Sequence, residues 1–455
     1  MKGLKKTFSE LKHYPTAIVG LVIITLLIIM AAATIIFLPY REAKILWRGD
    51  EATTYLNPVN ARPTWTNLFR KEKWPESFDI RFSENENVVK TVLPKEADAP
   101  EGKTVTELKY SFDYNYGEFP QEMILYFEGT YTNSKPFVEV SILTPEGRDI
   151  KIIGKGVAAT ETYRFNQDMK LEAKLGEKTS LVGLFSTINP EDPKVPEVAK
   201  GTYTMTLLVQ TFADGDSVDA ELVMHGLVYG FAGTDHKRRD LTTALLWGAP
   251  IALLFGLLAS VGVSVLSMVI AAYGVWFGGW IDALIQRITE INMLLPFLAI
   301  LVMIGTFYSK SIWVMLGATI LLSIFAASIK TYRATFMQMR SASYIEAAQT
   351  YGASNNRIIF KYLIPRIIPL LIPGLVLSIP GFVFLEASLN VLGLGDPVLP
   401  TWGKIISDAY YQAALYNGNY YWIIQPSVLL MITGLAFAMV GFSLDRLFNP
   451  RLREQ

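Results

Sequence analysis

Two kinds of pattern alternate along the chain. Uncharged apolar runs of membrane-crossing length lie near Ala17 to Leu38, Leu241 to Gly279 and Ile312 to Ile329, with others near Ile291 to Ser309, Ile367 to Phe384 and Tyr420 to Leu444. Crossing the hydrocarbon core of a bilayer takes about 20 apolar helical residues, so these runs predict about six spans. Between Pro39 and Tyr229 the pattern changes to short alternating segments bounded by turn residues. Tyr203, Met205, Leu207 and Val209 alternate with Thr204, Thr206 and Gln210, and Val138, Val140 and Ile142 alternate with Glu139 and Ser141. A period of two places one set on a buried sheet face. Pro145, Glu146 and Gly147 predict a turn before a strand over Asp149 to Ile153. With several such strands and little helical period, this region is expected to be a β-sandwich.

The expected fold is therefore a membrane all-α bundle carrying an inserted β-sandwich-like domain between its first and second spans. Residues 1–40 hold the N-terminus and first span, about 41–230 the β-rich domain, and 231–455 the other five spans. Lys and Arg beside the spans set the orientation. Lys2, Lys5, Lys6 and Lys12 precede the first span, Arg287 precedes the third, and Lys330, Arg333, Arg340, Arg357 and Lys361 crowd the loop before the fifth. Arg446, Arg451 and Arg453 follow the last. Both termini are thus expected in the cytoplasm, with the β-rich domain outside. Lys237, Arg238 and Arg239 run against this bias, but they end a long segment, and long segments translocate largely regardless of charge. The competing view of the N-terminus is a cleaved signal peptide ending near Ala31, Ala32 and Ala33, although Ile35 to Leu38 continue the apolar run to spanning length.

Composition narrows the chemistry. The 455 residues hold 41 basic and 41 acidic side chains, so nothing points to nucleic acid. Cysteine is absent, which removes disulfides and thiolate catalysis. Only His13, His225 and His236 occur, without zinc-hydrolase spacing. Gly102-Lys103-Thr104 mimics the end of a phosphate loop, but Ala97 stands where the loop needs glycine. Tyr110, Phe112, Tyr114, Tyr116 and Phe119 form a stripe that can stack on sugars or peptides, or can simply be sheet core.

The segment from about 340 to 365 is the most informative. Ser343 with Glu346 three residues later predicts a capping box at a helix start, and Gly352 should end that helix. A second helix should follow Ser354, with Arg357 exposed and Ile358, Ile359, Tyr362 and Leu363 sharing a face. Pro365 should close that helix or kink its lead into the next span. Two short helices joined at a glycine make a bent knob, on which Ala347 and Ala348 would let a partner approach closely. The plainer reading is an ordinary amphipathic loop in which Glu346 is only a cap.

Glu346, Ala347, Ala348, Gly352 and Pro365 stand at the spacing of the EAA loop, by which the chain resembles permease subunits of ABC importers. Further blocks resemble the C-type permeases of the dipeptide, oligopeptide and nickel importers. These are Gly233-Thr234-Asp235 with Arg239-Asp240, then Gly278-Gly279-Trp280 with Asp282, Arg287, Glu290 and Pro296, and Glu386-Ala387-Ser388-Leu389 with Gly393-Leu394-Gly395 and Pro400-Thr401-Trp402-Gly403. Asn449-Pro450-Arg451-Leu452 is similar to that family's tail, with Asn449 in place of its usual Asp. The family usually has Gly where this chain has Arg238, Glu-Leu where it has His236-Lys237, and no large outer domain.

The resemblance implies a non-catalytic permease subunit whose EAA loop grips ATPase partners. It implies two such ATPase subunits, which would bind ATP and Mg, since this chain has no nucleotide site of its own. It also implies a second homologous permease as heterodimer partner, and a solute-binding protein outside a prokaryotic inner membrane. Glu386, Gly393, Gly395 and Trp402 are candidates for the pathway or outer gate, and the plainer role of Glu386 is to brace the outer loop. Peptides are the expected cargo, with oligosaccharides or nickel as alternatives. A membrane-anchored binding or sensory protein would explain the β-rich domain but needs neither six spans nor this loop. An enzyme lacks a nucleophile, base or metal cluster. The β-rich domain is expected to dock the binding protein or cap the passage.

Overall fold

The computed structural model describes residues 14–81, 88–94, 103–176, 179–188 and 195–448. The charges expected at Lys2 to Lys12 and at Arg451 and Arg453, the tail block from Asn449, and Gly102 lie outside the described residues. The chain forms two compact units, Met1–Arg48 with Thr243–Gln455, and Gly49–Thr242.

In the first unit, α1 (Pro15–Phe37) begins with proline in its first turn, where no amide is needed. Its buried stripe is mostly small, with Ala17, Gly20, Leu27, Ala31 and Thr34, while Ile18, Val22, Leu26 and Phe37 are exposed. A helix apolar all round with small residues inward suits lipid outside and close helix packing inside. A short helix, α2 (Tyr40–Arg48), follows.

Among its described residues, the second unit holds nine strands in two antiparallel sheets. In order along the chain they are β1 (Phe78–Arg81), β2 (Val88–Val92), β3 (Thr104–Tyr114), β4 (Glu122–Thr130), β5 (Phe137–Leu143), β6 (Asp149–Gly156), β7 (Thr160–Arg164), β8 (Gly201–Thr211) and β9 (Ser217–His225). One sheet runs β1-β9-β4-β7 and the other β2-β3-β8-β5-β6. Tyr203, Met205, Leu207 and Val209 of β8 and Val138, Val140 and Ile142 of β5 face the shared core, as their alternation requires. The aromatic stripe resolves as sheet core: Tyr110, Phe112 and Tyr114 are buried, Phe112 stacks on Tyr203 with ring centroids 5.7 Å apart, and the Tyr110 hydroxyl donates across the sandwich to the Ala220 carbonyl at 2.7 Å. These rings are not available to stack on a ligand. Short helices interrupt the sandwich: α3 (Glu51–Thr54), α4 (Met169–Leu175), capped by the Asp168 carboxylate, and α5 (Ser180–Phe185), capped by Thr179.

A charged cluster closes one end of this unit. Glu122 accepts from Arg238 at 2.6 Å and lies 3.0 Å from Nδ1 of the fully buried His225, whose Nε2 is 2.8 Å from the Tyr55 carbonyl. Arg239 and Asp235 form a second, buried pair at 2.5 Å. The basic residues that run against the charge bias are thus largely neutralised inside the unit. Arg238 has φ of +61°, the conformation glycine supplies most readily, and its guanidinium is held by Glu122 and by the Asn57 carbonyl.

Burial alone would raise the Glu122 carboxyl, but the hydrogen bonds from His225 and Arg238 and the Arg238 charge outweigh it and hold it down at about 2. A depressed carboxyl stabilises the fold above its unfolded value, and that stability is lost as pH falls through the folded value. The thermal midpoint of this unit is therefore expected to drop between about pH 4.5 and about pH 2. After allowance for partial exposure, the loss is of order 2 kcal/mol. In Glu122→Gln the unit should start lower by that amount and lose this part of its acid dependence; an unchanged acid profile in thermal melts would refute the coupling.

The remaining helices belong to the first unit. They are α6 (Leu241–Phe277), α7 (Gly279–Leu294), α8 (Phe297–Phe307), α9 (Ile312–Ile324), α10 (Ala327–Arg340), α11 (Ser343–Thr350), α12 (Asn355–Ile358), α13 (Ile364–Val391), α14 (Trp402–Tyr411) and α15 (Tyr421–Phe448), with α6 starting at the unit boundary. Helix α13 packs along α15, and α15 along α1. Among the described residues, α1, α6, Leu371–Val391 of α13 and α15 are each long and apolar enough to cross a membrane.

The runs expected as the third and fourth spans are instead bent pairs. Helices α7 and α8 meet at 79°, and α9 and α10 at 47°. Pro296 explains the first bend, because the residue before a proline is driven to extended backbone, and Leu295 has φ −73° and ψ 137°. No proline lies at the second. There, the Asn292 amide donates to the Leu322 and Phe325 carbonyls, each at 2.9 Å, and Ser267 donates to Ile324 at 2.7 Å, so carbonyls released by the break keep partners. The count reaches six only if each bent pair is one span.

Candidate functional site: a bent loop and a glycine-rich segment

Helix α11 starts one residue earlier than the capping box requires. Extended Ala342 occupies the cap position and Ser343 is already helical, so neither Ser343 nor Glu346 caps the helix. Gly352 does end it, with φ of +75°, and α12 begins after Ser354. Pro365 does not close that helix. The chain passes from α12 through a π-helical turn, Ile359–Leu363, directly into α13, where Pro365 sits in the first turn.

The loop has two faces. Ile345, Ala348, Ile358, Ile359 and Leu363 are buried in one cluster with Ala272, Val275 and Trp276 at the end of α6, and with Phe336 of α10. Ala348 therefore seats the loop on its own chain and does not face outward as expected; its small size serves internal packing. Polar contacts fix the same seat. Arg340 donates to the Val275 carbonyl at 2.9 Å, the Tyr273 hydroxyl reaches Asn356 at 3.1 Å, and the Arg366 guanidinium lies 4.3 Å from the Tyr344 ring centroid. Arg333 of α10 clasps Asp282 of α7 through both nitrogens of its fork, at 2.6 to 3.1 Å. Arg287 and Glu290 pair at 3.2 Å, as their spacing requires.

The other face carries exposed Glu346, Ala347, Arg357 and Lys361. Two exposed aromatics not picked out from the sequence stand with them: Tyr351, 91% exposed, and Phe360, 50% exposed. Their signal was the break in apolar spacing, which leaves each ring off the buried face.

The glycine-rich segment is internally braced. Glu386 is 5% exposed and accepts from the Asn390 amide at 2.6 Å; that amide also reaches the Glu386 carbonyl at 3.0 Å. A side chain at Gly395 would overlap Asn390. Gly393 takes φ of +77°, and its carbonyl accepts from Lys310 at 2.8 Å. Trp402 is 1% exposed, donates to the Leu245 carbonyl at 2.8 Å and lies against Gly248. The hollow beside Glu386 and Asn390 measures about 20 Å³, room for roughly one water and for no solute. A wider groove of about 560 Å³, not singled out from the sequence, runs past Asn292, Leu322, Ser323, Ser378, Gly381 and Phe382. Among the described residues no group of three or more His, Cys, Asp or Glu can hold a metal.

Residues 245–454 match the family model for the binding-protein-dependent transport system inner membrane component. The dipeptide transport system permease protein DppC of Bacillus subtilis is 27% identical over 222 residues, 49% of this chain and 68% of that protein. A Brucella suis protein described as a peptide transport system permease is 30% identical over 230 residues, 49% of this chain and 73% of that protein. The peptidoglycan transport system permease protein YejE of Agrobacterium fabrum is 32% identical over 176 residues, 38% of this chain and 46% of that protein. A solved carbohydrate-binding module of the β-sandwich superfamily aligns at a TM-score of 0.16 and 14% identity, over 38% of this chain and 63% of that one, and carries no argument. With its EAA spacing on an exposed, bent loop and this similarity across its helical half, the chain belongs to the family of binding-protein-dependent transport system inner membrane components.

Proposed function

We propose that this permease subunit forms half of the passage for a peptide-like solute and couples it to ATPase subunits through the loop from Glu346 to Tyr362. The observation that carries the reading is the loop's division into a face locked to α6, α10 and α13 and an opposite face that exposes Glu346, Tyr351, Arg357 and Phe360. A rigid knob so anchored can pass a push on its outer face to the helices behind it.

The rest of the assembly follows from this reading. Two ATPase subunits bind ATP and Mg, a second homologous permease completes the passage as a heterodimer, and a solute-binding protein delivers the cargo. On this reading the chain crosses the membrane six times, each bent pair counting as one span, with both termini in the cytoplasm of a prokaryotic cell and residues 41–230 outside, which the basic residues beside the spans support. The groove past Ser323 and Ser378 is the passage face, and Glu386 and the glycine-rich segment brace its outer end. The relatives named as dipeptide and peptide permeases favour peptides over oligosaccharides or nickel as cargo.

The chain has no cysteine, so a single exposed thiol gives a clean probe. A photocrosslinker on Gln349→Cys is expected to capture an ATPase subunit in intact cells, and one on Asn133→Cys, exposed in the β-rich unit, is not. Failure to capture any ATPase from positions 346 to 361, or modification of Gln349→Cys by a membrane-impermeant reagent outside the cell, would overturn the reading.

A further inference from the structure

An apolar patch on the β-rich unit has no role in the proposed coupling. Leu68 and Phe69 are each 82% exposed and Phe231 is 71% exposed, while the Trp65 ring is 41% exposed and donates its indole N–H to the Phe231 carbonyl at 2.9 Å. These side chains come from a 3-10 helix, Thr64–Phe69, and from the segment that leads to α6. The two pieces are stitched by the Thr64 amide donating to the Gly230 carbonyl at 3.0 Å and the Tyr229 amide to the Arg62 carbonyl at 2.8 Å. Exposed apolar groups of this size on a fixed scaffold mark a surface that something covers.

The chain itself indicates what covers it. The amide of Leu241, the first residue of α6, donates to the Gly233 carbonyl at 3.0 Å. Phe231 is two residues from Gly233, so at most about 7 Å of backbone separates it from a residue held against the start of a membrane-length helix. Arg70, Lys71 and Lys73 follow the patch directly and are exposed, with Glu72 among them. Glu72 is paired with Lys200 at 3.4 Å, leaving the run cationic. Tryptophan and phenylalanine beside basic residues at the end of a span form the arrangement that settles among lipid headgroups.

We infer that Trp65, Leu68, Phe69 and Phe231 form a foot that inserts into the headgroup layer on the side where α6 begins and seats the β-rich unit on the bilayer. The partner is a lipid surface carrying anionic headgroups, which the cationic run attracts. The inference goes beyond the transport reading and needs only that α6 crosses the membrane from Leu241.

The test uses the full chain in nanodiscs of phosphatidylethanolamine and phosphatidylglycerol, with fluorophores on single cysteines. A label on Leu68→Cys or Phe231→Cys is expected to be quenched by nitroxide headgroups at least about twofold more than one on Asn133→Cys. Replacing phosphatidylglycerol with phosphatidylcholine should weaken that quenching. A label on Leu254→Cys, exposed on α6, separates the two readings through acyl-chain nitroxides. Quenching at Leu254→Cys with none above the Asn133→Cys level at positions 68 and 231 overturns the foot while leaving the span intact. Shielding of positions 68 and 231 only when a solute-binding protein is added would likewise overturn it, in favour of a protein-docking face.

Discussion

Tyr351→Ala is expected to weaken ATPase association by about thirtyfold, which corresponds to about 2 kcal/mol for an aromatic anchor at the centre of an interface. The phenol stands 91% exposed at the end of α11, beside the left-handed Gly352, and so projects from the apex of the loop. Because the ring is almost entirely outside the fold, its removal should leave the thermal midpoint of the solubilised chain unchanged. Ala348→Arg should behave in the opposite way, forcing a guanidinium into the cluster around Ile345 and Phe336 and lowering the midpoint. Titrating purified ATPase subunits onto each variant separates the two effects. Equal affinity for Tyr351→Ala and the parent chain would remove the apex from the coupling surface.

That contrast marks how far the sequence could be read. The position of the loop and its glycine break were legible, since a left-handed residue and a change of period leave local signals. Which alanine faces inward was not, because α11 begins one residue away from the expected cap and the rotation of a short helix depends on what it packs against. The apolar runs located the spanning segments by composition and Pro296 marks the first bend locally, whereas at the bend near Phe325 the freed carbonyl is satisfied by a side chain from a distant position, Asn292.

In the β-rich unit, alternation identified the strands of the inner faces and the paired sheets followed. Helices α4 and α5, of 7 and 6 residues, were too short to show a period, though Asp168 and Gly176 mark the ends of the first. The Glu122, His225 and Arg238 cluster was invisible, since its members are separated by 103 and 116 positions along the chain. Exposed basic charge and buried ion pair look the same in a sequence. The distinction matters here because Arg238 and Arg239, apparent violations of the charge bias, are paired with acids inside the unit.

Trp402→Ala should be the most damaging single change in the helical unit, at about 3–5 kcal/mol for a buried indole. The ring lies in the space Gly248 leaves open, where any side chain on α6 would overlap it, and its N–H satisfies the Leu245 carbonyl at 2.8 Å. Two residues beyond Gly248 is Pro250, which has no amide to donate to the Leu246 carbonyl one turn back; the Thr34 hydroxyl of α1 approaches that oxygen at 3.5 Å. The start of α6 therefore relies on contacts from outside its own helix, and Trp402 supplies one of them. Trp402→Phe retains most of the apolar contact and loses the hydrogen bond, so its cost should be nearer 1 kcal/mol. Gly248→Leu should reproduce the damage from the opposite side, since the two groups cannot occupy one space. Thermal midpoints of the solubilised chain should thus rank parent, Trp402→Phe, then Trp402→Ala, with uptake falling in the same order. A Trp402→Ala chain that melts with its parent would show that α6 and α14 are held together by something other than this ring.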